Sequence, residues 1–286
     1  MSEIFTHSVL HAVTDTLKML PILFLAYLLM EVLEHFESGR LSAFMNKSRK
    51  LGPLMASAIG LIPQCGFSGG VASLYAAGTV TTGTLISVIL ATSDEMLPVL
   101  LSANIPVKII IAILLSKLVI GVIFGFATDF VLRKKKLEKK ENIHEFCERE
   151  HCRCKDGVFI SALKHTLKIA GIILLVIFLL NLLFELISEE TLKGILNIPV
   201  VSELFASAIG LIPSCSVSVL LTNLFANGAL GISPLLCGLL TNGGIGLLVL
   251  YRANPNKKDN LLITLVIFAI GFVAGTLTGL IFNNIL

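Results

Sequence analysis

Residues Ala56 to Pro63 read ASAIGLIP, and residues Ala206 to Pro213 read ASAIGLIP again, 150 residues on. The same offset, without a gap, pairs Thr16-Leu17-Lys18 with Thr166-Leu167-Lys168, Cys65 with Cys215 and Ser68 with Ser218. It also pairs Gly78 with Gly228, Ala103-Asn104 with Ala253-Asn254, and Gly121, Gly125 and Thr128 with Gly271, Gly275 and Thr278. One register held over that length makes the chain two copies of one unit, about residues 12–132 and 162–282. The fold must be buildable twice from one pattern, and the copies must pack together.

Composition decides the solvent. Hydrophobic residues make up 55% of the 286 and charged residues 14%, with mean hydropathy +0.90, whereas a soluble domain carries about 25% charge. Fifteen of the forty-one charged residues fall between Arg133 and Asp156, nine of them basic and six acidic. What remains is too apolar for a soluble surface, so the expectation is an all-α polytopic membrane protein. Its organisation is a first membrane repeat (1–132), a charged linker (133–158) and a second membrane repeat (159–286). The net charge of +3 comes from loop residues and implies no nucleic-acid partner; the bilayer is the partner expected. The opening Met1-Ser2-Glu3 lacks a basic signal region, so the first apolar stretch is expected to stay as a span. The six cysteines are split between apolar segments and one charged loop, unlike a disulfide framework.

Within each unit, residues 17–34 and 107–131, and likewise 167–186 and 261–283, are long enough to cross a core of about 30 Å. The fifty residues between them, 51–100 and 201–250, are interrupted. Pro63, Gly69-Gly70, Gly78 and Pro98 break one copy; Pro213, Gly228, Pro234 and Gly243-Gly244 break the other. Such patterns predict half-helices or re-entrant turns, which lipid tolerates only where protein or water satisfies the freed backbone groups. Loop charge then orients the copies. The loop after the first span carries Arg40, Lys47, Arg49 and Lys50, while its partner near 187–200 carries Glu189, Glu190 and only Lys193. The 251–260 loop holds Arg252, Lys257 and Lys258, and its partner at 101–106 holds no charge. Matched loops therefore belong on opposite sides, which requires inverted-topology repeats with an odd number of crossings each. Three crossings with a re-entrant hairpin and five short ones both satisfy that. The linker is placed in the cytoplasm of a multi-pass cell-membrane protein, with both termini outside.

Inverted repeats with broken helices are the pattern of secondary transporters, whose substrate site lies near the midplane where the breaks meet. The breaks read Ile62-Pro63-Gln64-Cys65-Gly66-Phe67-Ser68 and Ile212-Pro213-Ser214-Cys215-Ser216-Val217-Ser218. Cys65 and Cys215 are soft donors for Zn, Cd, Cu(I) or As(III), against the plainer reading of small buried hydrophobes. Gln64, Ser68, Ser214 and Ser218 would line the same centre, with Asn223 and Asn242 as further amide ligands. Thr92-Ser93-Asp94-Glu95 sits in a stretch that otherwise reads as membrane, where an ionised carboxylate is costly unless it meets a cation, a proton or a base. Its repeat partner is Asn242-Gly243-Gly244-Ile245, so the charge is one-sided. Lys117, about ten residues into a span, is a charge partner for Asp94 or Glu95 in an empty site, or else a residue that faces a solvated vestibule or snorkels. In the linker, His144, Cys147, His151, Cys152 and Cys154 are five soft donors in eleven residues, without the spacing of a closed zinc module.

At these residues the chain resembles the ten-transmembrane heavy-metal exporter family, whose members are labelled arsenic efflux proteins or manganese transporters. The resemblance rests on the GLIPxCG run at Gly60 to Gly66, Asp94 with Pro98, the second GLIPxC at Gly210 to Cys215, and the stretch from Gly246 to Asn254. Phe67-Ser68 and Glu95 depart from its pattern. It implies export of a metal as substrate, no resident cofactor, and Asp94 as the family's acid.

The expectation is therefore a secondary transporter exporting a divalent transition or heavy metal, manganese-like, by alternating access and driven by a proton or ion gradient. Asp94, with Glu95, would be the oxygen ligand and protonation site. Efflux of arsenite, an organoarsenical or another small solute is the alternative. A channel is a further one, and an intramembrane lipid phosphatase another, although no His lies in the central segments to hold phosphate. Oligomeric state is left open. Cysteine-accessibility labelling on a background without native cysteines is expected to find residues 35–50 and 187–200 on opposite faces of the membrane. Labelling of both from one face would remove the inverted arrangement.

Overall fold

The computed structural model describes residues 51–63, 66–93, 95–132 and 200–285, with scattered helical positions at 13–28 and 159–178. Gln64, Cys65, Asp94 and the linker cluster His144, Cys147, His151, Cys152 and Cys154 lie outside the described residues.

Every described regular element is a helix. In the first half they are α1 (Leu51–Gly60), α2 (Gly66–Ala76), α3 (Thr82–Ala91), α4 (Met96–Ser102) and α5 (Val107–Leu132). In the second they are α6 (Val201–Gly210), α7 (Cys215–Ala226), α8 (Ile232–Thr241), α9 (Gly246–Ala253) and α10 (Lys257–Ile285). Four of the five starts recur 150 residues on, so the sequence repeat is a structural one. The turn after α2 shows how closely. Gly78 has φ +73° and Gly228 has φ +70°. Each donates its N–H three residues back, to Tyr75 O and Phe225 O, and the next residue donates to Leu74 O or Leu224 O. That is the glycine-terminated Schellman ending, which needs the left-handed conformation at the glycine.

Glycine also sets the closest packing. A Cβ on Gly125 would overlap Ser87 Oγ and lie 2.9 Å from both Gly83 O and Pro53 Cβ. In the second half, a Cβ on Gly275 would lie 2.7 Å from the Cys237 backbone. These contacts hold α3 against α5 and α8 against α10, the two largest helix–helix packings among the described residues. Polar capping fixes their register. The Asp129 carboxylate near the end of α5 accepts from Gly83 N–H and Thr81 Oγ1, both at 2.7 Å, at the start of α3. Further along, Ser87 Oγ donates to Gly121 O at 2.8 Å. Since residues 103–106 return the chain to the start of α5, Thr82–Ser102 runs antiparallel along α5.

Helices α1 and α2 behave differently. Gly52 abuts Thr84 near the start of α3, and Gly60 abuts Val88 and Ala91 near its end. From there α2 heads back: Tyr75 Oη, at its far end, lies 3.3 Å from Thr82 Oγ1. The pair enters and leaves beside the start of α3.

The two halves exchange partners. Helix α2 packs on α9 of the second half, and α7 packs on α4 of the first, while α3 meets α8 between them. Two hydrophobic clusters result, each with residues of both halves. One joins Ala72 and Tyr75 to Leu247, Val249 and Leu250; the other joins Met96 and Leu100 to Val217, Leu221 and Leu224. Among the described residues, four helical stretches are long and apolar enough to cross a membrane: Thr82–Ser102, Val107–Leu132, Ile232–Ala253 and Lys257–Phe282. The two that contain breaks are mostly buried, whereas α5 and α10 expose apolar stripes such as Val107, Ile111, Leu115, Val119 and Ile123. Interrupted helices are inside and continuous ones outside. Gly125→Leu is therefore expected to overpack the α3–α5 contact, at a cost of about 1–3 kcal/mol. The thermal midpoint of the purified protein in detergent should fall, while Val119→Leu, on the exposed stripe, leaves it unchanged.

Candidate functional site

The end of α1, the α3–α4 break, the start of α2 and the α8–α9 break lie together in the interior, and each frees backbone groups that must find partners. In the first half α1 ends at Gly60, three residues before Pro63, since the residue preceding a proline is driven out of the helical conformation. The carbonyls it leaves are taken by the second interruption of the same half. Ser93 donates its N–H to Gly60 O at 3.1 Å and its hydroxyl to Leu61 O at 2.7 Å. Ser93 thus stitches the α3–α4 break to the end of α1 and keeps its oxygen lone pairs. Glu95 follows at the N-cap of α4, half-buried, with no capping bond from its side chain. A carboxylate there is favoured by the positive end of the helix.

The second half is wired to the first. Ser68, buried one turn into α2, donates its hydroxyl to Gly243 O at 2.8 Å across 175 residues of sequence. Gly69 faces Ile245, and Gly246 faces Ser68 so closely that a Cβ would sit 2.8 Å from the Ser68 Cβ. Gly243 likewise abuts Ile89 of α3. The carbonyl of Gly243 therefore belongs to the centre although no side chain announces it. Its only signal in the sequence is the Gly-Gly pair.

Lys117 is fully buried, and its ammonium donates to Leu239 O on α8 of the opposite half. Leu239 lies in the last turn of α8, whose carbonyls run out of helical donors and which forms the negative end of the helix dipole. A cation in the midst of apolar helices is thus held by a helix terminus. The snorkelling alternative does not describe this side chain.

The other candidates are distributed unevenly. Ser214 is the N-cap of α7, its hydroxyl accepting from Ser216 N–H at 3.2 Å. Cys215 opens that helix, buried and reduced, and its carbonyl accepts the Ser218 hydroxyl at 2.7 Å. Asn242, also buried, has its amide oriented by the chain itself: Oδ1 accepts Gly244 N–H at 2.9 Å, leaving Nδ2 buried without a partner. What Asn242 offers inward is a hydrogen-bond donor. Asn223 lies further along α7 and is exposed, away from the buried face that carries Ser218 and Thr222. Among the described residues no three His, Cys, Asp or Glu side chains gather as a metal site.

No curated protein and no solved structure matches the chain. A family profile described as "Putative, 10TM heavy-metal exporter" matches residues 2–185, which take in the whole first half, its Pro-x-Cys break and Asp94. That is well over half of the chain, and with the helices described here it places the protein in the membrane: the chain belongs to this heavy-metal exporter family.

Proposed function

We propose that the protein exports a divalent transition or heavy metal ion by alternating access, its two halves being inverted copies about a site formed by their interrupted helices. The observation that carries the reading is the bond from Ser68 to Gly243 O, which joins a break of one half to a break of the other. Inverted packing is supported at the molecule's edge. Tyr75 Oη, beside the start of α3, also donates to Asp259 Oδ2 at the start of α10, at 2.7 Å. Asp129, at the end of α5, caps the same start of α3. The beginning of α10 and the end of its counterpart α5 thus share one level, as copies of opposite direction require. In that frame α1 and α2 are the arms of a re-entrant hairpin and Thr82–Ser102 is a broken crossing. A preceding span, two arms and two crossings make five segments per half, ten in all, the number in the family's description.

Within this centre, Asp94 supplies the oxygen ligand and carries the coupling proton, and Cys65 and Cys215 add soft donors at the mouths of α2 and α7. Oxygen donors favour a manganese-like ion over a purely thiophilic one. Lys117, held at the end of α8, keeps a positive charge beside the site when no metal is present. Efflux of arsenite or another hydroxylated solute is the second reading. The unpartnered Asn242 Nδ2 favours it, since an N–H binds an oxygen on the substrate but cannot ligate a bare cation.

Uptake by inside-out proteoliposomes, across manganese, zinc, cadmium and arsenite with and without a pH gradient, separates the two. Metal flux that follows the gradient supports the first reading; flux of arsenite alone supports the second. Asp94→Asn is expected to abolish metal flux and Glu95→Gln to reduce it less, both still reaching the membrane. Wild-type flux and pH dependence in Asp94→Asn would eliminate the carboxylate from the mechanism. Ser68→Ala should cost about 1 kcal/mol of stability and slow transport, because it unties the two breaks.

A further inference from the structure

Where α2 ends and α10 begins, a hydrogen bond joins two side chains that are each held by their own half. Tyr75, buried at the end of α2, donates its hydroxyl to Asp259 Oδ2 at 2.7 Å. The same tyrosine oxygen lies 3.3 Å from Thr82 Oγ1 at the start of α3. With the tyrosine proton given to Asp259, Thr82 is the donor there. On the other side, Asn254 Nδ2 donates to the same Asp259 oxygen at 3.0 Å and to Asn260 Oδ1 at 2.7 Å. Asn260 Nδ2 returns a bond to Asn254 O at 3.0 Å. Thr82 thus fixes Tyr75 on the first half, and Asn254 fixes Asp259 on the second. Parting the halves here breaks the bond between them and leaves both groups with a partner. The junction stands at the edge of the buried interior, since Asp259 is half-buried and Asn256, Lys257 and Lys258 beside it are exposed. Water can replace the lost bond, so opening at this point orphans no buried polar group.

The repeat builds the equivalent junction differently. At the 150-residue offset Tyr75 corresponds to Phe225, Thr82 to Ile232, Asp259 to Ile109 and Asn260 to Ile110. All four counterparts lie in or against the apolar cluster that joins α4 to α7. Packing does not call for the tyrosine hydroxyl, because a phenylalanine fills the matching position. Parting the apolar junction exposes hydrocarbon to water, at a cost that grows with the area exposed. One junction is polar and exchangeable with water, and its counterpart is hydrophobic.

We propose that the Tyr75–Asp259 bond is a latch that closes the face of the molecule carrying the 251–260 loop. It parts when the interior opens to that face and reforms when the interior opens to the other. The inference rests on the alternating-access reading and gives that cycle a named contact. Loop charge makes this the cytoplasmic face, so the latch guards the entrance at which an exporter loads. Loss of the hydroxyl should shift the balance between the two conformations about tenfold toward opening at this face, the effect of one hydrogen bond to a carboxylate.

The test uses Tyr75→Phe, the ring that the other copy already carries, with a reporter cysteine one turn inside the latch. Ala72→Cys, buried on α2, reports entry from this face, and its counterpart Thr222→Cys, buried on α7, reports entry from the other. Each is made in the otherwise unaltered full chain, in right-side-out and inside-out vesicles, and maleimide labelling at that position is read by mass spectrometry. Tyr75→Phe should raise labelling of Ala72→Cys from the cytoplasmic face about tenfold and lower that of Thr222→Cys from outside. Asp259→Asn should act in the same direction, and the double variant should do no more than Tyr75→Phe alone, as expected of two groups in one bond. Unchanged rates would overturn the latch. Equal rises at both reporters would also overturn it, because a merely structural tie loosens the whole fold. Labelling of both reporters from one face would instead defeat the inverted arrangement and, with it, a latch that exchanges the two entrances.

Discussion

A helix interrupted inside a bilayer leaves N–H and C=O groups that water cannot reach, and every other feature of this molecule follows from how those groups are bonded. Ser93 closes the end of α1 within its own half. Ser68 and Lys117 reach across to Gly243 O and Leu239 O in the other half. Neither half completes its own interior. The Ser68 bond ties α2 to the break that opens α9, and α7 packs on α4 so that each hydrophobic cluster draws on both copies.

The duplicated backbone carries unequal chemistry. Asp94 faces Gly244 in the alignment of copies, Lys117 faces Ile267, Tyr75 faces Phe225 and Cys237 faces Ser87. Packing needs only the shared small residues, such as Gly121 and Gly125 with Gly271 and Gly275, so one copy is free to hold a charge or a thiol where the other stays apolar. A membrane interior penalises each added charge, which favours one-sided placement over a second, redundant acid.

The helix interruptions were legible in the sequence, and what was not legible shares one cause. Proline and glycine positions placed the breaks because those residues alter backbone conformation wherever they occur. The role of a polar side chain depends on what lies opposite it. Asn242 and Asn223 are the same residue type in the same half, yet one is buried with its oxygen held by Gly244 and the other is exposed. Ser93 was a candidate ligand by its neighbourhood, and it also serves as the cap that α1 requires. The carbonyls of Gly243 and Leu239 carry no residue-type signal at all. They enter the centre only because a glycine allows close approach and a helix ends there.

The sequence by itself determined that this chain lives in a membrane, that it is one unit used twice, where its helices stop, and the family to which it belongs. Those properties are local or periodic: hydropathy, a fixed offset, proline, glycine, a short motif. Tertiary structure decided which interruptions meet, that Lys117 sits on a helix terminus of the opposite half, and that Ser68 closes on the Gly243 carbonyl. Such choices come from packing two copies against each other, where a contact spanning 122 or 175 residues depends on side-chain fit across the interface. No pattern along the chain encodes that fit.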